Sequence, residues 1–105
     1  MDFQFATSQE IIRDLGRRLR AHRLAGSMTQ EELSTRAGVA LGSIKTLEST
    51  GSTTLETFVR VVQALSLVGE LERVLVLKTN TSIAEMERAE LSKRQRAPRR
   101  RAPAL

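Results

Sequence analysis

Residues 29–51 read TQEELSTRAGVALGSIKTLESTG. Thr29 followed three positions later by Glu32 is a capping box, in which each side chain satisfies the other's free backbone N–H at the start of a helix. The spacing predicts a short helix from about Thr29 to Ala37 with Leu33 and Ala37 facing inward. Gly38 can supply the left-handed residue that ends it. A second short helix is expected from about Ala40 to Ser49, with Ile44 and Leu47 as its apolar side. Two short helices joined by a glycine-containing turn, following a longer helix, are the layout of a DNA-binding helix-turn-helix. Leu33, Ala37, Val39, Ile44 and Leu47 would bury the facing sides, and Ala37 is small where the two helices cross closely.

The flanking segments extend the same pattern. Upstream, Ser8 and Glu10 open a helix carrying Ile12, Leu15 and Leu19 at helical spacing, and Gly26 closes it. Phe3 and Phe5 alternate with polar residues at period two, which suits a short terminal strand or an ordered arm. Downstream, Gly51-Ser52-Thr53 is a turn and Thr54 caps a helix with Leu55, Phe58, Val59, Val62 and Leu65 on one face, the strongest amphipathic signal in the chain. Residues 70–78 read two ways: Leu71, Val74 and Leu75 suit a helix, while Val74 to Leu77 would equally make a strand that pairs outside the monomer. Thr79 to Thr81 breaks the pattern, residues 82–92 suit a frayed helix, and 93–105 has the composition of disorder. The expected fold is an all-α five-helix bundle. It comprises an N-terminal arm over 1–7, a helix-turn-helix and dimerisation domain over 8–78, and a flexible, disordered basic tail over 79–105.

Composition narrows the functions. The chain has 105 residues, a length that suits one domain. It lacks cysteine, which excludes disulfide scaffolds, thiolate metal sites and Cys nucleophiles. No apolar run approaches the roughly 20 residues of a membrane span, so a cytoplasmic protein is expected, with no membrane partner. The net charge of +5 comes from the end of the chain: residues 93–101 (KRQRAPRRR) carry six basic groups and no acid, leaving 11 basic against 12 acidic groups elsewhere. Such a tail can bind nucleic acid by releasing counterions, contact an acidic partner, or be a protease-sensitive end. Arg13, Arg17, Arg18, Arg20 and Arg23 crowd the first helix, and the first four could neutralise phosphates or form an ordinary solvated face. His22 stands alone among arginines, with no second ligand at metal spacing and no Ser/His/Asp grouping. Neither an enzyme nor a bound metal or cofactor is expected.

Residues 15–67 resemble the lambda-repressor-like (XRE, Cro/cI) helix-turn-helix family, through Leu19, Arg23, Thr29-Gln30-Glu31-Glu32-Leu33, Ala37-Gly38-Val39, Ile44, Leu47-Glu48, Gly51 and Ala64-Leu65. Within it, the N-terminal FQ and TTLETFVRVVQALSL are similar to HipB-type antitoxins, the partners of HipA-type kinase toxins. The resemblance implies a repressor that binds a double-stranded DNA operator, works at the bacterial nucleoid, and autoregulates a toxin–antitoxin operon. A solitary or phage-type regulator is the alternative. Position by position, Gln30 matches the family's phosphate-binding glutamine at the start of the second helix. Ala40, Leu41, Gly42, Ser43, Lys45 and Thr46 match the stretch that faces the major groove. Ala40, Leu41 and Gly42 depart from the Ser or Thr, Gln and Arg common there, leaving few bidentate bonds to bases and more weight on DNA shape. Arg23 and Glu48 match a pair that ties the first helix to the third. Val61, Leu67, Val68, Val76 and Leu77 exceed one core face and are expected at a homodimer seam, which would serve two half-sites about one helical turn apart.

Overall fold

The computed structural model describes residues 1–78 together with Arg88, Glu90 and Leu91. The chain divides into two units, Met1–Val74 and Leu75–Leu105, and the helices below belong to the first. Helix α1 (Ser8–Ala25) starts at Thr7, whose hydroxyl accepts from the Glu10 N–H at 3.1 Å while the Glu10 carboxylate accepts from the Thr7 N–H at 2.8 Å. Gly26 closes it. Helix α2 (Gln30–Ala37) repeats the reciprocal cap with Thr29 and Glu32 and stops at Gly38, left-handed at φ 68°. Helix α3 (Leu41–Thr50) begins at Ala40 with no side-chain cap and ends at Gly51, φ 82°. Helix α4 (Leu55–Ala64) is capped by the Thr54 hydroxyl, which accepts from the Thr57 N–H at 3.1 Å. A single turn, α5 (Val68–Leu71), follows. Among the described residues all regular structure is helical.

Packing follows the apolar spacing. Helix α1 lies on α3, α2 on α3 and α4, and α5 on α4. Leu19, Leu33, Ala37, Ile44, Leu47, Val61 and Val62 are buried, with Met28, Val39, Phe58 and Leu65 against them. The α1–α3 crossing is closed by two glycines. A Cβ on Gly16 would collide with the Leu47 carbonyl oxygen, and one on Gly51 with the Ile12 carbonyl. No larger residue fits at either position without moving backbone.

Four expectations are corrected. Phe3–Phe5 is a 3-10 helix rather than a strand: Asp2 Oδ1 accepts from the Gln4 N–H at 3.0 Å and closes a local turn. Such side-chain-to-backbone bonds compete with extended pairing. Val61 is fully buried, so it belongs to the core and is not available to a dimer seam. Leu55, first in the α4 stripe, is 76% exposed: it is the opening residue of the helix and stays outside the buried cluster. Of residues 70–78 only Glu70 and Leu71 are helical; turn residues follow, Leu75 is left-handed at φ 58°, and no strand forms. The expected basic tail lies outside the described residues apart from Arg88, Glu90 and Leu91, which are helical and exposed.

Candidate nucleic-acid interface

Three helices meet at one carboxylate. Glu48, on the inner side of α3, and Arg23, near the end of α1, are each only 6% exposed. Arg23 Nε donates to Glu48 Oε2 at 2.6 Å and Nη2 to Oε1 at 2.8 Å, the bidentate fork that guanidinium geometry favours. Its Nη1 donates to the Met28 carbonyl at 2.8 Å, pinning the loop before α2. From the first residue of α2, Gln30 Nε2 donates to Glu48 Oε1 at 3.0 Å, and Arg20 Nε stands 4.0 Å from that same oxygen. Burial pushes the Glu48 carboxyl upward, but hydrogen bonds from Arg23 and Gln30, with the charges of Arg23 and Arg20, outweigh it and hold the group below its ordinary value. The Glu48 hydrogen bond raises Arg23 in turn, against the opposing effect of burial. Both groups stay charged, and α1, α2 and α3 are fixed to one another near their ends.

The outer side of α3 has no such ties. Gly42, Lys45, Thr46 and Ser49 are exposed, Leu41 and Ser43 are half-buried, and Ala40 is exposed just ahead of the helix. A Cβ at Gly42 would meet nothing within 4 Å. Gly42, Ser43 and Thr46 border a cleft of about 460 Å³ whose opposite wall is Thr53, Thr54 and Thr57. All its lining residues but Gly42 are serine or threonine, so it can accept and donate hydrogen bonds without net charge. Gln30 is separate from this face: half-buried, it spends one amide N–H on Glu48 and retains a second.

The Gln30–Glu48 bond was missed from sequence, since 18 positions separate them and no helical spacing links residues on different helices. The threonines across the cleft were missed because Thr54 reads first as a helix cap. Among the described residues no group of His, Asp or Glu could hold a metal ion, and no helix is long and apolar enough to cross a membrane. Compared with models of known protein families and with curated proteins, the chain matches none.

Proposed function

We propose that this chain is a sequence-specific DNA-binding repressor that uses α2 and α3 as a helix-turn-helix. The observation that carries the reading is the lengthwise division of α3: Ile44, Leu47 and Glu48 are buried, while Gly42, Lys45 and Thr46 form an exposed face free to enter a major groove. The three-residue turn Gly38–Ala40 and the short α2 before it suit that docking. Gln30, held by one N–H to Glu48, offers its other amide hydrogen and its backbone N–H at the start of α2 to a phosphate. Lys45 and Thr46 reach base edges, and Leu41 meets a thymine methyl. The resemblance to HipB-type antitoxins extends the proposal: the protein works in the cytoplasm at the nucleoid, binds and neutralises a HipA-type kinase toxin, and represses its own operon. It does so as a homodimer on two half-sites.

The test is selection of duplexes from a randomised library by the full chain. A consensus sequence is expected. Lys45→Ala and Thr46→Ala should each weaken binding to the selected duplex by about 1–3 kcal/mol where a base contact is lost. Gln30→Ala should weaken every duplex alike, since phosphate contacts position without specifying. A library that yields no consensus, or a Lys45/Thr46 double variant with unaltered binding, overturns the reading. For the toxin, the first check is whether a kinase-like reading frame adjoins this one; if it does, its product is co-expressed with the full chain, and if none does, the antitoxin reading fails. Kinase activity that survives an excess of this chain would leave a solitary regulator.

A further inference from the structure

The fold sorts the five arginines of α1 into three groups. Arg23 is committed to Glu48. Arg18 is held by Asp14, its Nε 2.8 Å from Oδ2, and its guanidinium lies 5.0 Å over the Phe3 ring. Arg13, Arg17 and Arg20 fall at i, i+4 and i+7 and therefore share one helix face, where all three are exposed. Among the described residues neither Arg13 nor Arg17 has an ion-pair partner. Glu10, three residues before Arg13, is engaged by the Thr7 N–H at 2.8 Å. Like charges one turn apart destabilise a helix, so this stripe carries a cost that a polyanion would relieve. Its position selects the polyanion: Arg20 approaches Glu48 Oε1, the atom Gln30 also contacts, so one end of the stripe adjoins the start of α2.

We propose that Arg13, Arg17 and Arg20 form an auxiliary phosphate-binding stripe that extends duplex contact along α1, beyond the α2–α3 pair. The inference rests on the DNA-binding reading above. Seven residues of helix cover about 10 Å, so the three guanidinium groups on their long side chains are spread widely enough to meet separate backbone phosphates, up to one each. The contact is electrostatic and adds affinity for all sequences alike.

The experiment measures affinity against salt for a duplex selected by the full wild-type chain, using the wild type, the triple variant R13Q/R17Q/R20Q, the charge-keeping R13K/R17K/R20K, and R18Q. Each phosphate neutralised contributes about −0.9 to the slope of log affinity against log salt, so the triple glutamine variant should flatten it by about 2–3. Between 50 and 200 mM salt the wild type's advantage over that variant should then shrink roughly forty-fold. The lysine variant should restore most of the slope, and R18Q should keep it. A glutamine variant with the wild-type slope overturns the stripe and leaves it for an acidic protein surface. R18Q flattening the slope as far as the triple variant overturns it too. If the wild type selects no duplex, the DNA-binding reading itself fails and the stripe with it; failure of the stripe alone leaves a selected duplex that is still bound.

Discussion

Glu48 is a carboxylate surrounded by donors from two other helices, and its removal exposes what it neutralises. Glu48→Gln would leave Arg23 buried and charged without a counter-ion, a change that costs about 3–5 kcal/mol. That is a large share of the 5–15 kcal/mol typical of a folded domain. Replacing both partners with apolar residues, as in Arg23→Met with Glu48→Leu, should cost far less, because no buried charge is then left alone. Acid provides an independent check. The folded carboxyl sits below the ordinary value of roughly 4.3, so its stabilisation is fully present above that pH and is lost as pH falls through the folded value. Urea denaturation from pH 7 downward should therefore show the gap between wild type and Glu48→Gln closing below about pH 4. A gap that stays constant with pH would mean that the carboxylate's charge is not what stabilises the junction.

Two helical glycines make opposite demands on their helices. Gly16→Ala must push a methyl group into the Leu47 carbonyl, and overpacking of this kind costs about 1–3 kcal/mol. Gly42→Ala meets open space and gains helix propensity, up to about 1 kcal/mol. Thermal melting should place the two variants on opposite sides of the wild type, by several degrees each for a domain of this size. The same elements show what the sequence discloses and what it hides. Helix ends marked by a side-chain cap or a terminal glycine are legible: Thr29 with Glu32 and Thr54 open helices, and Gly26 and Gly38 close them. The end of α4 is hidden, because Ser66 takes the left-handed position at φ 60° and the Leu67 N–H returns to the Val62 carbonyl at 2.9 Å. That role usually marks itself with glycine. The N-terminal turn is hidden for a related reason: Asp2 closes it with one bond that period-two alternation does not reveal. Around Glu48, residues 25 positions apart meet, and only the family resemblance drew Arg23 and Glu48 together beforehand.

The protein as a whole leaves apolar surface beyond its small core. Val68 and Val74 of the first unit are each at least 45% exposed, as are Val76 and Leu77 of the second, and the proposed homodimer would cover apolar surface of this kind. Leu67, by contrast, packs against the core and Val61 lies within it, so the expected seam narrows to residues beyond α4. Sedimentation of the full chain at micromolar concentration should give a dimer. Val76→Asp with Leu77→Asp should give monomers that retain the helical circular dichroism of the wild type and bind the selected duplex much more weakly. A monomeric wild type would remove the dimer from the proposal.

The lengthwise division of α3 also bears on how such a protein diverges. Its inner residues are constrained by the crossing at Gly16 and Gly51 and by the junction at Glu48, whereas Gly42 and Lys45 answer to no neighbour in the chain. Duplicated copies can therefore rewrite the outer surface of this helix, a few codons at a time, without passing through unfolded ancestors. On the proposed DNA-binding reading, preference and architecture would be inherited separately along one ten-residue segment.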